Sequence, residues 1–227
     1  MRPVDRTALI TGGTGGLGRA VVAAFVSNGW RVVVLDKRVV DIQGAEVVQA
    51  DLTDAEDVAR AVGAAAGDAD APLRAVANLV GGFAAGQPVA DTPVADFEAQ
   101  FALNMRPTYL VTQAALPALV AAGGGSVACV GSRSALRPFA GAAGYCASKA
   151  AVITFAQVVA REHADDGVRC NAVLPQMIDT PANRAAMPPE QHSGLTPPGE
   201  IAAVIHFLCS AESAPINGAA VPVYGGR

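Results

Sequence analysis

The sequence predicts a single α/β domain over residues 1–227, a doubly wound parallel sheet of about seven strands with helices on both faces. Three observations predict it. Short apolar runs alternate with longer stretches of helical periodicity along the whole chain. The first apolar run leads directly into a glycine-rich turn that opens a helix, and the second ends on an acid. No repeat and no linker divides the chain into two cores.

Composition narrows the classes of partner. Hydrophobic residues make up 52% and charged residues 16%, which excludes a disordered chain and suits strands covered on both faces. A net charge of -4 without a basic run argues against nucleic acid and anionic membrane surfaces. Cys129, Cys146, Cys170 and Cys209 stand apart from one another and read as reduced, buried thiols, with Cys146 the one that borders chemistry. His163, His192 and His206 are scattered, so no metal site is expected. Without a signal h-region or 18 consecutive apolar residues, the expected setting is cytoplasmic.

The elements follow in order. Thr7–Thr11 is a short apolar strand that runs into Gly12-Gly13-Thr14-Gly15-Gly16-Leu17-Gly18. Such a turn brings backbone close to a phosphate, and the helix behind it offers unpaired N–H groups and a positive dipole end. That helix runs to Val26 and stops at Asn28-Gly29. Arg31–Leu35 is a second strand ending in Asp36, about 20 residues past the glycines, where a ribose diol is gripped in dinucleotide sites. Asp36 repels a 2′-phosphate whereas Lys37 and Arg38 would neutralise one. The absence of a basic residue among the glycines favours NAD over NADP.

Residues 46–50 form a weak third strand. Asp51-Leu52 follows, with Asp51 able either to reach an adenine amino group or to cap the next turn. An Asp54-initiated helix runs to about Ala66. Leu73–Val80 is the fourth strand, with Asn78 near its end and Gly81-Gly82 beyond. A long helix from about Val94 to Val120 contains Pro107 and Pro117, which predict a kink after Asn104 and a late irregularity. Residues 125–131 form the fifth strand, leading to Ser132. The sixth is Val168–Leu174, followed by Pro175-Gln176-Met177-Ile178-Asp179-Thr180. A last helix spans about 198–210, and a seventh strand covers Ala219–Val223.

Residues 144–165 read as one helix carrying Tyr145 and Lys149. Four residues turn a helix by about 400° and raise it about 6 Å, so the two share a face. A phenol ionises near pH ~10, and an ammonium beside it favours phenolate. Taken by itself, the pair reads as an exposed Tyr/Lys pair on an amphipathic helix, so the surrounding residues decide.

Taken together, these motifs resemble the short-chain dehydrogenase/reductase family, in its shorter single-domain branch, and the likeness covers essentially the whole chain. Thr11-Gly12-x-x-x-Gly16-x-Gly18 is similar to the family's cofactor turn, and Asn78-Leu79-Val80-Gly81 to its Asn-Asn-Ala-Gly segment. Asn104, Ser132, Tyr145 and Lys149 match its catalytic tetrad, with Ser132 thirteen residues before Tyr145. The resemblance implies a Rossmann fold and interconversion of a ketone and an alcohol with a nicotinamide dinucleotide. It also implies Tyr145 as general acid and base, Lys149 lowering its pKa and holding the ribose, Ser132 holding the reacting oxygen, and Asn104 anchoring a water. The cofactor residues would be Gly12, Thr14, Gly15, Gly16, Leu17, Gly18, Asp36, Asp51, Leu52, Asn78, Gly81, Tyr145, Lys149, Pro175, Ile178 and Thr180.

The chain departs from the family pattern in places. Gln176 stands where glycine is usual, and Tyr224 replaces an acid in Val223-Tyr224-Gly225-Gly226. The segment between Thr180 and Pro198 is short, which predicts an open or small-lidded pocket. Phe83, Gln87, Arg133, Arg137 and Phe139 are candidates for its lining, toward a small-molecule carbonyl or alcohol. The long kinked helix (Val111, Leu116, Leu119) and the Tyr145 helix (Val152, Phe155, Val159) are expected to pair across a homo-oligomer, a dimer or tetramer. A dinucleotide-binding sensor or scaffold without turnover is the alternative function.

Overall fold

Thr7–Thr11 (β1) is buried along its whole length and pairs in parallel with Arg31–Asp36 (β2) on one side and Leu73–Asn78 (β4) on the other. Ala45–Gln49 (β3) lies outside β2. Gly125–Val130 (β5), Val168–Pro175 (β6) and Ala220–Val223 (β7) extend the sheet beyond β4. The computed structural model describes residues 5–225, so Gly226 of the closing segment lies outside the described residues. The strand order is β3-β2-β1-β4-β5-β6-β7, all parallel. The order therefore reverses between β1 and β4, and a crevice opens there beyond the strands' carboxyl ends.

The pleat sorts the core into two layers. Leu9, Val33, Leu35 and Val127 point to one face, packed with Ala55–Ala66 (α2), Arg106–Ala121 (α4) and Ala143–Glu162 (α5). Ala8, Ile10, Val32, Val34 and Ala128 point to the other, covered by Gly16–Ser27 (α1) and Pro198–Cys209 (α7). Phe25 of α1 is fully buried, with its ring 5.2 Å from Trp30 and 5.1 Å from His206 of α7, both edge-on. Burying a side chain of that size stabilises by about 1.5–3 kcal/mol.

The predicted long helix is two helices. Val94–Asn104 (α3) stops, Met105 lies between, and α4 restarts with Pro107 in its first turn, where a missing N–H costs nothing. Pro117 breaks nothing, because it sits on the exposed side of α4 and water can satisfy the carbonyl it leaves free. By length and composition α5 could cross a membrane, with a mean hydropathy of 1.3 over its most apolar stretch. A scan for uninterrupted apolar residues passes over it, since Lys149 and Arg161 intervene. Half of that stretch is buried inside this fold.

One expectation is corrected. Val111, Leu119, Val152 and Val159 do not face outward but lie in the core layer beneath the sheet, each at most 2% exposed. Helical periodicity identifies a buried face and is silent on what covers it. The exposed apolar side chains of α3–α5 are instead Val94, Phe97, Leu103, Tyr109 and Val158.

Candidate active site

A cleft of about 900 Å³ runs along the carboxyl ends of the strands. Its floor at one end is the turn after β1. Gly12 adopts φ +68°, a left-handed conformation that suits glycine. A Cβ on Gly18 would overlap the Gly12 carbonyl oxygen and sit 2.6 Å from the Gly13 Cα. The first turn of α1 therefore presses against the loop with no room for a side chain. Gly15, the residue before α1, offers no capping side chain, so the helix's first N–H groups face the cleft without a side-chain partner. Gly12, Gly15, Gly16, Leu17 and Gly18 all line it. This cradle fits a dinucleotide's pyrophosphate, which needs close backbone approach and N–H donors.

Asp36, at the end of β2, lines the same cleft and is nearly buried. Its Oδ2 accepts from the Thr14 N–H (3.2 Å) and the Thr14 hydroxyl (2.7 Å), and its Oδ1 from the Arg38 N–H (3.1 Å). The Arg38 guanidinium donates to Thr14 Oγ1 at 2.6 Å and lies 3.9 Å from Asp36 Oδ1. Lys37 turns away, to an ion pair with Asp51 at 3.2 Å. Of the two basic residues after Asp36, only Arg38 reaches the cleft.

Several predicted residues lie elsewhere. Asp51 accepts from the Thr53 N–H and hydroxyl, contacts that hold its carboxyl down at about 2. It lines a separate shallow depression with Lys37 and Arg60. Leu52 is buried in the core. The cap of α2 is Asp54, accepting from Asp57. Asn78 is buried beneath the cleft and donates to Thr112 Oγ1 at 2.9 Å, tying β4 to α4. Thr180 caps the short helix Pro181–Ala185 (α6), and its methyl lies against Gly16, where a Cβ would fall 2.7 Å from it. Pro175 and Ile178 line the cleft wall.

Ser132, Tyr145 and Lys149 meet on that wall from three places: the end of β5, the first turn of α5 and the turn after it. Ser132 Oγ accepts from the Ser134 N–H, which fixes it in the same wall as the Tyr145 phenol. Lys149 Nζ donates to the Val130 carbonyl at 2.9 Å. Asn104, fully buried at the α3–α4 break, accepts from the Gly82 N–H (3.0 Å) and donates to Ser148 Oγ (3.2 Å). A Cβ on Gly81 would fall 2.6 Å from Asn104 Oδ1 and 2.9 Å from Lys149 Nζ, so both polar groups converge on that backbone.

The electrostatics differ from expectation. Burial pushes the Tyr145 phenol above its ordinary value, and Ser132 offsets only part of the rise. Burial pulls the Lys149 ammonium from 10.5 down to about 8. The chain alone thus keeps Tyr145 protonated at neutral pH, because desolvation outweighs the lowering effect of Ser132.

At the other end of the cleft, Phe83 stands edge-on to Tyr145 at 4.9 Å and Phe139 lies 6.3 Å from Phe83. Arg133 and Arg137 also line it, whereas Gln87 does not. Met187, Gln191 and Leu195, from the segment after α6, complete the lining and carry no periodic signal in the sequence. That segment is only α6 and a 3-10 turn over Pro189–Gly194, a small lid. All four cysteines are free and buried, and no cluster of three potential metal ligands occurs among the described residues.

A family model described as short chain dehydrogenase matches residues 6–191. The 2,5-dichloro-2,5-cyclohexadiene-1,4-diol dehydrogenase LinX of Sphingobium indicum is 33% identical over 99% of this chain and 97% of its own. A short-chain type dehydrogenase/reductase from Mycobacterium ulcerans superimposes with a TM-score of 0.91 at 25% identity, covering 100% of this chain and 90% of that one. ElxO, solved with NADP bound, has the same fold (TM-score 0.90, 24% identity, 98% of each chain).

Proposed function

The chain belongs to the short-chain dehydrogenase family, and from that premise we propose that it interconverts a ketone and an alcohol, with Tyr145 as general acid and base. The observation that carries this reading is the meeting of Ser132, Tyr145 and Lys149 on one wall of a cleft floored by the glycine turn. When bound, the nicotinamide dinucleotide supplies or accepts the hydride.

The chain's own groups do the rest. Ser132 Oγ holds the substrate oxygen next to the phenol. Tyr145 gives that oxygen its proton in reduction, and burial keeps the phenol in the protonated form such an acid needs. Lys149, anchored on Val130, presents its remaining donors to the ribose hydroxyls and refills the phenol's proton. Asn104 steadies the break between α3 and α4 and, beside Lys149, anchors a water that links the site to solvent. In oxidation the same path runs backward.

NAD is the preferred dinucleotide in this reading, because Asp36 presents a carboxylate to a ribose diol and repels a 2′-phosphate. Arg38 is the counterweight, held on Thr14. Exposed Phe97, Leu103, Tyr109 and Val158 support a homo-oligomer built on α3–α5. The test is calorimetric titration with NADH and NADPH in parallel, followed by ketone-dependent oxidation of the reduced dinucleotide. Tighter NADH binding with ketone-dependent oxidation is expected. Binding without turnover on any ketone would favour a dinucleotide sensor.

A further inference from the structure

Three adjacent strands end in three side chains that touch. Arg133 follows β5, Gln176 follows β6 and Tyr224 follows β7. The Arg133 guanidinium donates to Gln176 Oε1 at 2.6 Å and lies 5.1 Å over the Tyr224 ring. Both partners are neutral. They orient the guanidinium through an amide oxygen and a π face and leave its charge uncancelled. Arg137, also on the cleft, has no acidic partner among the described residues either. Among the described residues, the only acid lining the cleft is Asp36, at the glycine-turn end. Two cations without an acidic partner among the described residues therefore line the cleft that Phe83 and Phe139 also line.

Building on the ketone–alcohol reading above, we infer that the substrate carries an anionic oxyacid group, a carboxylate, sulfonate or phosphate, that docks on Arg133 while its carbonyl or hydroxyl lies at Ser132 and Tyr145. Gln176 and Tyr224 are positioning residues. They hold the guanidinium at the cleft wall so that little rotamer freedom is lost when the anion arrives. A planar fork presented in this way suits an oxyanion bound through two parallel N–H groups. The ring surfaces of Phe83 and Phe139, beside Tyr145 in the same cleft, favour a flat or cyclic body over an extended polar chain.

The test separates binding from turnover. Para-acetylbenzoate, para-acetylbenzenesulfonate and the neutral para-methylacetophenone are titrated calorimetrically into protein saturated with oxidised dinucleotide. Their kcat/KM values are then measured with the reduced form. Both anions are expected to bind at least about tenfold tighter than the neutral ketone, a difference of about 1.4 kcal/mol. That ratio falls to near one in Arg133→Met and in Tyr224→Asp, whose carboxylate cancels the guanidinium. It persists in Tyr224→Phe, which keeps the ring, and partly in Arg133→Lys. The sulfonate and carboxylate arms tell which oxyacid geometry fits better.

Equal binding of anions and neutral ketone by the wild type, binding of none, or a ratio that survives Arg133→Met would overturn the inference. A loss of dinucleotide affinity in Arg133→Met with the ratio intact would assign the arginine to the cofactor instead. Anion-selective binding without turnover would sink the oxidoreductase reading and leave the role of Arg133 standing. Turnover without charge selection would do the reverse.

Discussion

The two ends of the cleft treat charge in opposite ways. At the glycine-turn end, the charged side chains are closed into a network, Asp36 with Thr14 and Arg38. At the substrate end, Arg133 meets only an amide and a ring, and Arg137 meets no acid among the described residues. The first end is set before any ligand arrives, as suits a ligand that is always the same molecule. The second holds a cation in place and leaves its neutralisation to whatever binds. The cofactor end is therefore fixed by steric fit, and the substrate end by unmatched charge.

The sharpest way to break the comparison is to spoil the fit. In Gly18→Ala the new methyl meets backbone atoms of Gly12 and Gly13 that cannot swing aside. Dinucleotide affinity should fall by at least about 10²-fold, about 2.8 kcal/mol at 1.4 per decade, with a lower Tm. Calorimetric titration and thermal unfolding check this, and near-normal affinity would mean that the turn is looser than its geometry.

Lys149→Met tests the hinge between the two ends. The folded-state pKa of about 8 lies below the ordinary 10.5, so between those values the unfolded chain holds a proton that the folded chain has released. Stability from this group therefore rises with pH across that window, by about 3 kcal/mol if the ammonium is unperturbed when unfolded. Below it the burial penalty is present in full. The variant should lose turnover and lack that rise. Urea unfolding at several pH values between 7 and 10, wild type against variant, reads the difference, and parallel curves would refute the burial of a charged Lys149.

A smaller effect is expected at Asp36. Removing its carboxylate in Asp36→Ser frees Arg38 and lifts the repulsion of a 2′-phosphate. The NADH-to-NADPH affinity ratio should shift by about tenfold toward NADPH, about 1.4 kcal/mol. An unchanged ratio would leave Thr14 and Arg38, not Asp36, as the determinants.

What the sequence made legible follows the same division. The strands, the glycine turn and Asp36 are readable because their signals are local: short continuous apolar runs, glycines in one turn, an acid at the next strand's end. Asn104, Ser132, Tyr145 and Lys149 became a set through family resemblance, since nothing in their spacing alone brings α3, β5 and α5 together. The face of α4 and α5 carrying Val111, Leu119, Val152 and Val159 was misjudged, because periodicity marks burial without naming the covering layer. The rise at Tyr145 was not legible either. Desolvation depends on what surrounds the phenol, and that is settled only when Phe83 and the β5 loop close on it. Gln176 and Tyr224 read as unexplained departures. Their contacts with Arg133 join loops 43 and 91 positions apart in the chain, beyond the reach of any local pattern.

The central claim is that Tyr145 moves the proton in a dinucleotide-dependent reaction. The direct measurement is ketone-dependent oxidation of NADH by wild type and Tyr145→Phe at matched saturation with dinucleotide. The account predicts turnover by the wild type and a loss of about 10²–10⁴-fold in kcat for the variant, the range for a positioned acid–base group, with NADH affinity unchanged. Equal rates for the two proteins, or no oxidation by wild type carrying bound NADH, would contradict it.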